Sequence, residues 1–256
     1  MSSRLSGLRL AIGTLSILRV HVDAADRATA GRAMACAPLV GAGIGVVAAA
    51  AGWAARAYTD STFLAAVAAV AVYAGATRAL HLDGLADVAD GLGSAKPRAQ
   101  ALEIMKQSDI GPFGVVTLLL VLSLQIASVA SAYAHQRGGI AIIVAAITGR
   151  LAVTLACTPS VPSARPEGLG AWVAGSVRAR IAAPIAALCI AASFALGYLR
   201  SLDTAILAAA ACVLGIAGSL LLLRRCIARF GGITGDVLGA LVETAAAGAL
   251  LVMAAR

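Results

Sequence analysis

Seven long apolar runs dominate this chain, at 36–55, 61–77, 112–134, 139–158, 181–199, 204–223 and 237–255. Each approaches the roughly 17–25 residues that a helix needs to cross a bilayer. Five contain no charge, and the other two carry one each, Arg150 and Glu243. The 61–77 run is the shortest. Over the whole sequence 61% of residues are apolar and 12% charged, against roughly half and a quarter in soluble domains. So much apolar surface cannot be hidden inside a soluble globule of this size. The pattern predicts an all-α fold: a polytopic integral membrane helix bundle of about seven spans, forming one domain over residues 1–256.

The basic residues alternate between the connections. Counted from the N-terminus, the segments outside the runs hold 5, 1, 4, 1, 3, 1, 3 and 1 Lys or Arg. Positive charge collects on the cytoplasmic side of membrane proteins, so the N-terminus is expected to be cytoplasmic and the C-terminus outside. The same distribution argues against nucleic acid as a partner. The net charge of +8 sits between apolar runs, with only 4% aromatic residues available for stacking. Residues 1–34 form a cytoplasmic or interfacial segment. Within it Leu8, Ile12 and Leu15 predict an amphipathic interfacial helix, in preference to a signal peptide. The five cysteines, Cys36, Cys157, Cys189, Cys212 and Cys226, are widely spaced and read as buried thiols.

Residues 78–111 are unlike the rest and, by the charge count, cytoplasmic. Asp83, Asp87 and Asp90 stand at i, i+4 and i+7, within roughly 60° of arc on a helix. Three carboxylates so placed repel, and a hard divalent cation relieves the conflict. A solvated acidic face is the plainer alternative. Gly84, Gly91 and Gly93 interrupt the segment, either as a helix end or as places where a phosphate approaches the backbone. His81 precedes the aspartates and is either a proton carrier or a packed histidine. Lys106 follows, between Glu103 and Asp109, with a surface ion pair or a phosphate as its target. Ser108 borders the entry to the next run.

A second polar cluster, Gly231-Gly232-Ile233-Thr234-Gly235-Asp236, closes the connection 224–236 on the same expected side. Its backbone could cradle an anion and Asp236 could complete a metal site, with helix capping as the alternative. Arg150 and Glu243 are costly in hydrocarbon and should face the bundle interior, as a pair or with Arg150 in a polar cavity.

These strings carry a resemblance. His81-Leu82-Asp83-Gly84-Leu85-Ala86-Asp87-Val88-Ala89-Asp90-Gly91-Leu92-Gly93 is similar to the signature of the cobalamin synthase family, the adenosylcobinamide-GDP ribazoletransferases. Leu102-Glu103-Ile104-Met105-Lys106, Ile110-Gly111-Pro112-Phe113-Gly114 and Gly231 to Gly239 resemble it at matching relative positions, as do Pro38-Leu39-Val40-Gly41 and the Arg150 run. Gln107-Ser108-Asp109 departs from the Asp-Ser-Arg of many members, and Arg78-Ala79 stands where many carry Gly-Gly.

The resemblance implies a Mg²⁺-dependent enzyme of the cell inner membrane, multi-pass, with its active site facing the cytoplasm. Its substrates would be adenosylcobinamide-GDP and α-ribazole or α-ribazole 5′-phosphate. The products would be adenosylcobalamin or its 5′-phosphate, and GMP. Asp83, Asp87, Asp90 and Asp236 would hold one or two Mg²⁺ ions, with Lys106 and His81 as further catalytic groups. Gly84, Gly91, Arg98, Ser108, Arg150, Gly232 and Thr234 would contact substrate. A homo-oligomer, or a complex with other corrinoid enzymes, is compatible with such a protein. The competing classes are a CDP-alcohol-type phosphotransferase acting on a lipid and a small-molecule transporter.

Overall fold

A bilayer offers no hydrogen-bond partners, so a spanning backbone must satisfy itself, and helices do this within one segment. The computed structural model describes residues 3–21 and 26–255 and among them contains eleven helices. They are α1 (Ser3–Leu15), α2 (Arg27–Thr59), α3 (Thr62–Gly75), α4 (Leu80–Gly93), α5 (Arg98–Ile104), α6 (Pro112–Ala134), α7 (Gly138–Ala156), α8 (Gly168–Val173), α9 (Ala179–Tyr198), α10 (Leu202–Phe230) and α11 (Gly235–Met253). Side-chain caps fix several starts. Asp26, Ser61, Ser201 and Thr234 each accept a hydrogen bond from the backbone N–H three residues on, satisfying a donor that the helix leaves free.

Six helices are long and apolar enough to cross a membrane: α2, α6, α7, α9, α10 and α11. The protein is therefore a multi-pass helical membrane protein. The expected span at 61–77 becomes α3, with 14 residues. At 1.5 Å per residue this covers about 21 Å, less than the apolar thickness of a bilayer. After a bend of 85° the chain continues as α4, so the seventh crossing exists only as a broken pair. The expected loop 78–111 thus contains two helices, α4 and α5, and α4 runs unbroken through its glycines. Residues 224–230 are likewise the last turns of α10 rather than loop.

α7 and α11 are the most buried spans. α2 lies close against α7 because Gly41 and Gly45, four residues apart, face it. A Cβ on Gly41 would stand 2.4 Å from the Ala146 carbonyl oxygen, and one on Gly45 would stand 2.8 Å from the Ile143 Cα. Small residues at this spacing let helix backbones approach in lipid. Pro38 lies inside α2 and cannot bond to the carbonyl four residues back. That carbonyl, of Met34, instead accepts the Thr154 hydroxyl of α7 at 2.7 Å. The face of α1 turned inward includes Gly7, Ala11 and Leu15. Leu8 and Ile12, expected on the same face as Leu15, line an open groove between α1 and α2 instead. Gly41→Ala should lower the thermal midpoint of the detergent-solubilised protein, at a cost of about 1–3 kcal/mol. Gly43→Ala should not, because no atom lies within 4 Å of its added methyl group.

Candidate active site

The first acidic motif lies on α4 and the second at the start of α11, and a glycine lets them meet. A Cβ on Gly84 would stand 2.6 Å from the Asp236 carbonyl oxygen. The space expected to admit a phosphate at Gly84 is therefore filled by the α11 backbone. Gly91 is occupied in the same way, by Met105 and Phe230. The result brings Asp83, Asp87 and Asp236 within mutual electrostatic reach. Asp83 is exposed, and Asp87 and Asp236 are half-buried. The Asp87 carboxyl is half-buried, with the carboxylates of Asp236, Asp83 and Asp90 and the Arg165 guanidinium acting on it.

Asp90 serves a different purpose. It is buried, and its two oxygens accept from the backbone N–H groups of Gly111 at 2.8 Å and Gly114 at 2.9 Å. A Cβ on either glycine would collide with the carboxylate. Asp90 thus caps α6, where free N–H groups and the helix dipole favour an anion. Both oxygens are thus engaged by backbone donors, whereas the sequence reading set Asp90 among the metal ligands. Among the described residues no three His, Cys, Asp or Glu side chains converge as a ready-made metal site.

The second motif is held from two sides. Gly231 ends α10 with a φ of 83° and is covered by the Arg98 guanidinium, whose Nη2 donates to the Ala164 carbonyl at 3.1 Å. Gly232 lies against the Pro162 carbonyl, and Ile233 forms an isolated parallel bridge with Ser163. Gly232 and Arg98 therefore join loops, where substrate contact was expected. The Thr234 hydroxyl accepts from the Val237 N–H and donates to Asp236 Oδ2, both at 3.1 Å. Thr234, rather than Asp236, caps α11, and in doing so it orients the Asp236 carboxylate.

A cavity of about 250 Å³ opens beside these carboxylates. His81, Asp83 and Asp236 form its polar side, and Leu15, Met34, Val153, Leu169 and Leu238 are among its apolar walls. His81 Nδ1 lies 3.5 Å from Arg150 Nη2. Arginine only donates, so a hydrogen bond between the two takes Nδ1 as acceptor and leaves the ring proton on Nε2. Arg150 is fully buried, donates to the Tyr73 hydroxyl, and stands 4.7 Å from the Tyr73 ring centroid. It supports His81 from behind and does not line the cavity. Glu243 accepts from Gln125 Nε2 at 2.8 Å, and among the described residues no ion pair joins it to Arg150. Lys106 pairs with Glu103 at 3.0 Å, and Ser108 is exposed before α6.

Arg165 was not singled out from the sequence, where it is one basic residue of a cytoplasmic connection. Its Nη2 donates to the Leu102 carbonyl at 2.5 Å, and it reaches Asp87 and Asp236 electrostatically. Nothing local marks it, because its partners lie on α4, α5 and α11. Tyr73 and Gln125 escaped notice for the same reason.

The fold and site together define a polytopic membrane enzyme whose carboxylates gather at one end of the bundle. Comparison with known proteins is more specific. Residues 7–254 match the family model of cobalamin-5-phosphate synthase. Relatives named adenosylcobinamide-GDP ribazoletransferase include one from Frankia casuarinae, 48% identical over 96% of this chain and 93% of its own length. Another, from a Nocardioides species, is 37% identical over 97% and 98%, and one from Pseudomonas paraeruginosa is 35% identical over 99% and 100%. No solved structure matches the chain. The chain belongs to the cobalamin-5-phosphate synthase family and is a transferase of cobalamin biosynthesis. That membership displaces the lipid phosphotransferase and transporter alternatives.

One outcome follows from the site. Asp90→Ala leaves two amide donors unpaired at the start of α6 and should cost about 1–3 kcal/mol, read as a lower thermal midpoint.

Proposed function

We propose that the chain joins adenosylcobinamide-GDP to α-ribazole or its 5′-phosphate, at the cytoplasmic face of the cell inner membrane, and releases GMP. The observation that carries this reading is the meeting of Asp83, Asp87 and Asp236, two of which, Asp83 and Asp236, line an apolar-walled cavity. The names of the relatives supply the substrate. The acceptor hydroxyl attacks the phosphorus that carries cobinamide. A P–O bond to the ribose oxygen forms, the bridging P–O bond to GMP breaks, and the hydroxyl proton passes to a carboxylate, for which Asp236 is oriented. Such transfers depend on charge neutralisation and alignment more than on covalent help.

The donor set fits Mg²⁺. It consists of hard carboxylate oxygens, and among the described residues Asp83, Asp87 and Asp236 are in no ion pair with Lys or Arg. Mg²⁺ commonly takes one or two carboxylates together with waters and substrate phosphate, so three ligands need not converge beforehand. Asp83, Asp87 and Asp236 would hold one or two ions. A bound cation neutralises phosphate charge and supports the leaving oxygen. His81 Nε2–H can donate into the cavity, and the apolar walls suit the base of the acceptor.

Asp83→Asn and Asp236→Asn should each reduce GMP release from adenosylcobinamide-GDP in proteoliposomes by about 100-fold or more, with normal membrane insertion. Chelation should abolish turnover and Mg²⁺ should restore it. Near-normal turnover in Asp83→Asn would overturn the assignment.

A further inference from the structure

A second cleft is lined in part by Arg165. It measures about 560 Å³, and its polar lining includes Lys96, Gln100, Glu103, Lys106, Arg165 and Glu167. One wall is α5 with its flanks and the other is residues 164–167. The size falls in the range of about 300–1,000 Å³ that small-molecule sites occupy. Leu102, Ile104 and Pro166 add an apolar surface on which a planar ring can lie. The charge is mixed, with three cations and two carboxylates. Lys106 and Glu103 are paired, whereas Glu167 is exposed and in no ion pair among the described residues.

Arg165 links this cleft to the carboxylates. Its Nη2 is anchored on the Leu102 carbonyl, while its Nε is buried without a hydrogen-bond partner. A buried unpaired donor is costly, and a phosphate oxygen would satisfy it with a charge-assisted bond. The two cavities are thus connected electrostatically, since the charge of Arg165 reaches Asp87 and Asp236. One is small and apolar and includes Asp83 and Asp236. The other is wider and polar and includes Arg165.

We propose that the polar cleft is the site of the guanosine monophosphate half of the substrate, the part that departs. This rests on the phosphoryl-transfer reading above. The α-phosphate lies on Arg165, so the scissile linkage sits between Arg165 and the carboxylates. The purine rests on Leu102, Ile104 and Pro166. Guanine presents N1–H and a 2-amino group along one edge, and a carboxylate accepts from both; Glu167 is the acceptor. Lys96 and Lys106 face the sugar and phosphate. The acceptor nucleoside is left the apolar cavity, so the two nucleosides enter from opposite sides of the reacting phosphorus, as in-line displacement requires.

The test uses the full-length protein in proteoliposomes. GMP and IMP, which differ by the 2-amino group, are compared as inhibitors of turnover. Wild type should prefer GMP, Arg165→Lys should weaken both by about tenfold, and Glu167→Gln should abolish the preference. In wild type, 8-azido-GMP irradiated on the enzyme should label residues within 96–107 or 164–167, a readout independent of variant folding. If wild type releases no GMP from adenosylcobinamide-GDP, the reaction assignment itself fails. If it releases GMP but both variants keep the wild-type pattern, or the label falls elsewhere, the cleft assignment is overturned and the reaction stands.

Discussion

The site depends on the contact between α4 and the first turn of α11. Gly84 sits so near the Asp236 carbonyl that any side chain would force the two helices apart. That closeness places the carboxylates of two distant sequence motifs in one electrostatic environment. The loops then secure the contact. Arg98 covers Gly231 and holds the Ala164 carbonyl, and residues 162–164 exchange backbone hydrogen bonds with Ile233. A chain that reached this end of the bundle by separate segments would otherwise have little to align them.

Buried polar groups in this bundle are costly unless partnered, and the partners define separate roles. Asp90 is spent on the start of α6, which anchors the helix following the acidic segment. Arg150 is held by Tyr73 and fixes the tautomer of His81. Glu243 is satisfied by Gln125 from α6. Asp83 and Asp87 have no such partner among the described residues, Asp236 accepts only the Thr234 hydroxyl there, and Asp83 and Asp236 border open space. The distinction between structural and available carboxylates is therefore one of hydrogen bonding, since all four are aspartates in similar motifs.

Two openings lie at the active end. Asp83 and Asp236 border a cavity with aliphatic walls, and Arg165 borders a polar cleft with an exposed carboxylate. A reaction that joins a bulky phosphodiester donor to an aromatic nucleoside needs such separation, because the attacking and departing groups approach the phosphorus from opposite directions.

The sequence by itself determined the membrane class, six of the seven expected spans and the two motifs that meet. These are properties of runs and local spacing: apolar length decides what lipid accepts, and a helical period decides which aspartates share a face. The family resemblance was legible for the same reason, since its motifs are short contiguous strings. Only the tertiary structure decided that α3 is too short to span without its bent continuation, that Asp90 caps α6, and that Gly84 and Gly91 are filled by packing. It alone revealed Arg165, Tyr73 and Gln125. Each of these depends on what a residue touches across the bundle, and a side chain's partners on other helices leave no trace in its neighbours along the chain.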